Sequence, residues 1–483
     1  MLVLSVLLYA CGLDSGTDDT SQSSKVVSSE ALITSSFSGS VGDGPVVAAT
    51  LSIYDRDGNL VSTVTSDNTA RYSAKVKAKG KAYPLTIEVD GGTDLVTGLA
   101  PDFRMTSVIS HPSRKNININ PFTTMIVAAA RTMPGGLSDE NIATAGTIVE
   151  QKLNFGLDTR VVADAITTKV DDVNISFFTK SSEALGEMIR WSRDRLMATG
   201  VVGNGDDIVA ALADDIADGE LDGRGGSEAS VRMATVSKII SAQVLIEAMS
   251  NNLKVGGTVA TDRMDDAIIA THPLLPRSSM TDSVPINQEL LVQARDNIKV
   301  AQTLSPDAAV DSIADIIATL RADSLASAVE AILPDGSSAI LDQPVSLAVA
   351  ATDEQLNAAI NGDSSAIPTD PPADPPPANR APVLSGTPVT NVLEDSVYQY
   401  QPAATDADGD TLSFSIQNRP GWATFNTSTG VLSGTPNNSQ VGIYSNILVM
   451  VSDGELTDSL GPFNITVQNT NDAPSLSGSA ATS

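Results

Sequence analysis

Two stretches of the chain alternate apolar and polar residues with period two, and the long segment between them repeats its apolar residues at helical spacing. In the C-terminal stretch the alternating runs are Val397–Tyr400, Leu412–Ile416, Ile447–Val451 and Phe463–Val467. Turn signals separate them at Arg419-Pro-Gly421, Thr429-Gly430, Gly434-Thr-Pro436 and Asp453-Gly454. In the N-terminal stretch the runs are Leu51–Tyr54, Leu60–Val64, Tyr72–Val76 and Leu85–Val89, with turns at Asp57–Asn59, Ser66–Asn68 and Asp90–Gly92. Such runs predict half-buried antiparallel strands. From Asn120-Pro121 the period changes. Ser138-Asp-Glu140 caps a run carrying Ile142, Val149 and Leu153; Ile208, Leu212 and Ile216 follow the same spacing, as do Val310, Ile313, Ile317 and Leu320 after Ser305-Pro306. These stripes predict an all-α domain over 120–361, of about eight to ten helices at usual helix lengths.

Asn379-Arg-Ala-Pro-Val-Leu-Ser-Gly386 returns, altered, as Asn471-Asp-Ala-Pro-Ser-Leu-Ser-Gly478. A unit of about ninety residues can close its own core, so the period is that of a whole domain. The expected organisation is multidomain: a signal over 1–11, a tether over 12–28, a β-sandwich over 29–119 and the helical domain over 120–361. A Pro-rich linker over 362–378, a β-sandwich over 379–470 and the start of a second, truncated repeat over 471–483 complete it. The proline density of Ile367–Pro377 favours an extended, semi-rigid spacer.

Fifty-eight acidic against 29 basic residues give a net charge of −29, which excludes the basic face of a nucleic-acid binder. Leu2–Ala10 is an apolar run too short to span a bilayer as a helix, and it ends at Cys11, the single cysteine. No internal disulfide can form. The polar residues Gly12–Ser24 suit a flexible tether.

Candidate chemistry centres on Asp406-Ala-Asp408-Gly-Asp410, with Glu394-Asp395 upstream and Asp453-Gly454 downstream. In an extended segment alternate side chains share one side, so Asp406, Asp408 and Asp410 can converge, and hard oxygen donors in this number suit Ca²⁺. An acidic turn between strands fits the same residues. Asp218, Glu220, Asp222 and Gly223 match the first half of an EF-hand loop, but its twelfth position is Ala229, with Glu228 one residue early. The two histidines, His111 and His272, each precede proline and belong to no nucleophile motif. Together with one cysteine they cannot build an ordinary structural zinc site. Lys75, Lys77, Lys79 and Lys81 alternate along one strand, as residues that guard an exposed edge do. Trp422 is expected in a core.

Three resemblances extend this reading. Glu394-Asp395, Asp406–Phe414, Pro420-Gly-Trp422, Thr429–Pro436, Gly442-Ile-Tyr444, Val451–Gly454 and Asn469–Pro474 resemble the dystroglycan-type cadherin-like modules, also described as immunoglobulin-like repeats of bacterial surface proteins. That resemblance implies a sandwich binding Ca²⁺ near its ends, often where repeats meet, with Glu394, Asp406, Asp408, Asp410, Asp453, Asn471 and Asp472 on the ligand positions. Leu8-Tyr-Ala-Cys11 resembles a lipobox, which implies lipidation of Cys11 and a membrane-anchored protein of the bacterial cell envelope. Gly39–Val46, Ala49–Tyr54, Gly58-Asn59 and Tyr72 look like the transthyretin or carboxypeptidase-regulatory sandwich, in which Ala70 stands where glycine is usual. The expected function is calcium binding by surface-displayed repeats, for adhesion or matrix assembly, with no catalysis. Other surface proteins or polysaccharide are the expected partners. The alternative is a carbohydrate-binding or scaffolding part of a surface polysaccharide-degrading enzyme.

Overall fold

The computed structural model describes residues 31–281, 283–366, 379, 381–407, 409–454 and 456–471. Contacts divide the chain into two compact units that meet at 367/368.

The first unit opens with eight strands: β1 (Leu32–Ser40), β2 (Val46–Val47), β3 (Thr50–Tyr54), β4 (Leu60–Thr65), β5 (Arg71–Lys79), β6 (Leu85–Asp90), β7 (Thr93–Asp94) and β8 (Thr106–Ile109). β4, β3, β6 and β8 form an antiparallel sheet in that order, and β1 pairs with β5 from Leu32↔Lys79 to Ser40↔Arg71. Period two is explicit in β5, where Tyr72, Ala74, Val76 and Ala78 are buried while Ser73, Lys75, Lys77 and Lys79 are exposed. Ala70 just before it has φ +55°, the left-handed region that the missing glycine would enter at no steric cost.

Eleven α-helices follow among the described residues: α1 (Pro121–Thr132), α2 (Asp139–Lys152), α3 (Ile175–Met197), α4 (Gly205–Ile216), α5 (Val231–Met249), α6 (Thr261–Thr271), α7 (Gln288–Leu304), α8 (Ala308–Thr319), α9 (Ala326–Ile332), α10 (Asp342–Ala350) and α11 (Asp353–Ile360). A small hairpin, β9 (Lys254–Val255) and β10 (Thr258–Val259), interrupts them after α5. The count exceeds expectation because α9, α10 and α11 are only seven to nine residues long, too short to show a full period. Ser138 caps α2 as its sequence predicts, Oγ accepting from Asn141 N at 3.1 Å. Asn120 and Thr123 form a reciprocal capping box at α1, with Pro121 at the first helical position.

The boundary expected at 119/120 does not separate two cores. Ile117 N donates to Ser38 O and Ile119 N to Ser40 O, both at 2.9 to 3.0 Å, so the segment leading into α1 is stitched alongside β1. A Cβ on Gly39 would strike the Ile117 carbonyl, which keeps this approach to glycine. One buried apolar cluster then runs without a break from Phe37 through Leu51, Ile87 and Phe122 to Leu245, Ile298 and Ala359. No helix among the described residues is long and apolar enough to cross a membrane.

The second unit is β-rich, with nine strands among the described residues: β11 (Val383–Ser385), β12 (Asn391–Leu393), β13 (Tyr398–Tyr400), β14 (Ala403–Thr405), β15 (Ser413–Gln417), β16 (Ala423–Phe425), β17 (Leu432–Gly434), β18 (Gly442–Ser452) and β19 (Thr457–Gln468). One sheet has the order β12-β19-β18-β15, with β12 parallel to β19 and the other pairs antiparallel. A second sheet has the order β13-β17-β16, and β11 pairs with β14. Tyr398, Leu432, Ile447, Ile465 and Val467 are buried together, and Trp422 stands edge-on to both Tyr398 and Tyr444 at 5.5 and 5.9 Å. Trp422 thus packs against the core as expected.

Because β-rich and helical segments share one core, Leu51→Ala in β3 and Ile240→Ala in α5, both fully buried, are expected to lower the stability of the same unfolding transition, each by ~2–5 kcal/mol. Urea unfolding followed by circular dichroism checks this; movement of two separate transitions would show two independent cores.

Candidate functional site

The predicted calcium ligands fall at two poles of the second unit. Asp406 follows β14, and its Oδ1 accepts from Gly409 N and Asp410 N at 2.9 and 3.1 Å, a tight turn in which Gly409 takes φ +84°. Pairing of Ser413 with Ser452 brings the Asp410 end of that turn to the start of the β18–β19 connection. There Asp453 Oδ1 accepts from Leu456 N at 2.6 Å and Oδ2 from Asn379 Nδ2 at 3.0 Å. Asn379, Asp406, Asp410 and Asp453 therefore share the N-terminal pole.

Glu394 lies elsewhere. It follows β12, whose Leu393 pairs with Gln468, and its Oε1 accepts from Thr470 N at 2.6 Å, beside Asn471. The Asp453 pole adjoins Thr457 and the Glu394 pole adjoins Gln468, so the whole twelve-residue length of β19, roughly 35 Å at strand rise, separates them. One ion cannot serve both. Glu394 is only 2% exposed, and its Oε2 has no hydrogen-bond donor. Among the described residues no group of three or more His, Cys, Asp or Glu side chains is gathered closely enough to hold a metal ion. Asp408, Asp472 and Cys11 lie outside the described residues.

The Asp218 loop does not gather its acids. Asp215, at the end of α4, accepts instead from Gly223 N, Arg224 N and Gly225 N at 2.8 to 3.3 Å, while Glu220 pairs with Lys152 at 2.7 Å. An organising carboxylate one turn before the motif is what the EF-hand register overlooked. His111 is exposed and bonds the hydroxyl of neighbouring Ser113 at 2.8 Å, and His272 meets Arg71 at 2.8 Å and the hydroxyl of Thr271 at 3.0 Å.

A charged cluster that the sequence reading missed lies buried in the first unit. Glu183, Glu187 and Arg190 occur on α3 at steps of four and three residues, hence on one face, and that face is turned inward. Arg190 pairs with Glu187 Oε1 through Nε at 2.5 Å, with Glu183 Oε2 through Nη2 at 3.2 Å, and with Asp43 Oδ2 through Nη1. Trp191 Nε1 donates to Glu187 Oε2 at 2.7 Å. Asp43 Oδ1 and Glu183 Oε1 are buried without a donor. Burial, opposed by Arg190 and reinforced by Asp94, pushes the Asp43 carboxyl up to about 7. Burial and then the Asp43 charge raise Glu183, and burial raises Glu187. A single guanidinium cannot neutralise three carboxylates, so the cluster favours holding protons. Asp43, Glu187 and Arg190 also line a cavity of about 670 Å³.

Residues 381–468 match the family described as "Putative Ig domain", which makes this segment an Ig-like module. No protein of curated function matches the chain. Among solved structures, a "putative alpha-galactosidase" from Bacteroides fragilis is 10% identical over 18% of this chain and 17% of that one, with a TM-score of 0.15. The endo-fucoidan hydrolase MfFcnA4 of glycoside hydrolase family 107 is 23% identical over 21% of this chain and 16% of that one, with a TM-score of 0.16. The chain thus spans less than a fifth of either structure, and likeness at this level carries no functional argument.

Folded-state pKa values raised above the unfolded ones give a stability contribution that is complete below about pH 4 and lost as pH rises through about 7. The first unit is therefore expected to be less resistant to urea at pH 8 than at pH 5. Glu183→Gln should flatten that dependence by raising the pH 8 midpoint; an unchanged slope would mean the cluster does not hold the extra protons.

Proposed function

We propose that this chain is a calcium-binding bacterial surface protein whose cadherin-like, dystroglycan-type repeats are held at the cell envelope by a lipid on Cys11 and serve adhesion or matrix assembly. The observation that carries this reading is Glu394. Its buried Oε2 lacks a donor at the very pole where Asn471 begins the repeated motif. Asn379, the equivalent of Asn471 in the first copy, bonds Asp453 at the N-terminal pole. By the repeat, Asn471 would bring the Asp406–Asp410 and Asp453 pole of a following copy towards Glu394. Carboxylates approaching in this way repel one another, and a divalent cation relieves that repulsion while stiffening the joint.

In this reading Glu394, Asn471 and Asp472 supply one side of a joint and the counterparts of Asp406, Asp408, Asp410 and Asp453 the other. The N-terminal β-rich segment, resembling the transthyretin or carboxypeptidase-regulatory sandwich, acts as a spacer, and other surface proteins or polysaccharide are the partners. The chemistry is binding rather than catalysis.

Calcium titrated into the chain extended by a complete second copy of residues 379–470 is expected to give saturable heat in the range of about 10⁻⁴–10⁻³ M usual for extracellular modules. It should also raise the unfolding temperature of the C-terminal transition. Glu394→Gln in the first copy, or alanine at the counterparts of Asp406 and Asp408 in the second, should weaken binding about tenfold or more, the scale of one lost charged ligand. Absence of heat up to about 10 mM, past that range, would reduce the module to an acidic spacer.

A further inference from the structure

β1 and β5 form a two-stranded sheet whose inner face, with Phe37, Tyr72, Ala74, Val76 and Ala78, belongs to the core. The same register sets the outer face. Leu32 stands opposite Lys79, Thr34 opposite Lys77, Ser36 opposite Lys75 and Ser38 opposite Ser73, and all eight residues are exposed. Residues paired across an antiparallel ladder share a face, so three lysines, four hydroxyls and one leucine lie together. Neither strand contains an acidic residue, in a chain with 58 acidic against 29 basic residues. Among the described residues the side chains of Lys75 and Lys77 meet no carboxylate. Arg114 and Lys115, both exposed, add positive charge at the edge of β1, where Ser38 N donates to Lys115 O.

Guarding an edge accounts for lysines on β5, but not for an acid-free partner strand that opens on an exposed leucine. Lys75, Lys77 and Lys79 recur about every 7 Å along the strand. At physiological salt charges act over about 8 Å, so what this face meets is governed by its own lysines rather than by the net charge of −29. The place where the chain enters narrows the choice of partner. Leu32, 72% exposed, opens β1 and follows Cys11 by twenty-one residues. That length spans about 70 Å even when fully extended, so a lipid on Cys11 would keep this face close to the bilayer.

We infer that the outer β1–β5 face rests on an anionic phospholipid surface, with Lys75, Lys77 and Lys79 against the headgroup phosphates and Leu32 at the boundary of the acyl region. This deepens the reading of a membrane-held protein and rests on it for the presence of a membrane. Each lysine held near an anionic surface strengthens association about fivefold, and lipid anchoring becomes stable when a basic patch supplements the acyl chain. The hydroxyls of Thr34, Ser36, Ser38 and Ser73 supply donors to phosphate oxygens between the lysines.

The test is flotation of the unacylated full chain, without calcium, on vesicles of phosphatidylcholine alone and of phosphatidylcholine mixed with phosphatidylglycerol. Association with phosphatidylcholine, which the apolar Leu2–Ala10 run would give on both, is the baseline. The mixed vesicles are expected to bind more chain, and salt at about 1 M, where the screening length falls to about 3 Å, should remove the difference. Lys75→Gln combined with Lys77→Gln should weaken the phosphatidylglycerol-dependent part about twentyfold, two lysines' worth, with the thermal unfolding profile in place. Equal association with both vesicles, or an unchanged affinity in the double variant, would overturn the inference and leave the lysines as edge guards. Release of the chain from mixed vesicles by alginate at equal negative charge would also overturn it, in favour of an anionic polysaccharide. Since the assay uses neither an acyl chain nor calcium, its failure leaves lipidation of Cys11, read from intact mass, and the calcium joint standing.

Discussion

Arg190 is the cation on which the seam between the β-rich segment and the helices depends. It reaches Asp43, which leads into β2, and Glu183 and Glu187, which lie on α3, so one guanidinium joins parts of the chain 147 residues apart. Removing that guanidinium would leave three buried carboxylates without compensation, which is more damaging than never having built the network. The apolar core runs across the same seam, so ionic and hydrophobic terms act together there. The mixed character of the seam also explains its charge balance: the excess carboxylates are tolerated because burial raises their affinity for protons.

Much of this architecture was legible in the residues. The alternation Tyr72-Ser-Ala-Lys-Val76 gave β5 with its correct inward face, Ser138 gave the start of α2, and Trp422 gave a packing aromatic in the Ig-like module. Local patterns succeed where the deciding interaction is local. The Asp43–Arg190 pairing failed that condition, since nothing near Asp43 announces a partner on α3. What could have been noticed is the setting: Glu183 and Glu187 are interleaved with Ala184, Leu185, Met188 and Ile189, a stretch apolar enough to be buried, where unpaired charge is rare.

The calcium candidates show how far a motif carries. Spacing of Asp406, Asp408 and Asp410 predicted a shared side; what the described residues show is a turn whose backbone amides donate to Asp406, the geometry of the acidic-turn alternative. Spacing could not say that Glu394 belongs to the opposite end, because that follows from the parallel register of β12 on β19. The Asp218 loop makes the complementary point: three acids at alternate positions were present, yet backbone amides were captured by Asp215 outside the motif.

That parallel pairing has a mechanical meaning. Every other pair in the four-stranded sheet is antiparallel, but β12, near the start of the module, and β19, at its finish, run side by side in the same direction. Tension along the chain would drag β12 towards one pole and β19 towards the other. The hydrogen bonds between them would then be strained in shear, all at once, instead of opening one after another from an end. All three register pairs, Asn391↔Thr466, Val392↔Val467 and Leu393↔Gln468, would carry that load together before the strands could part.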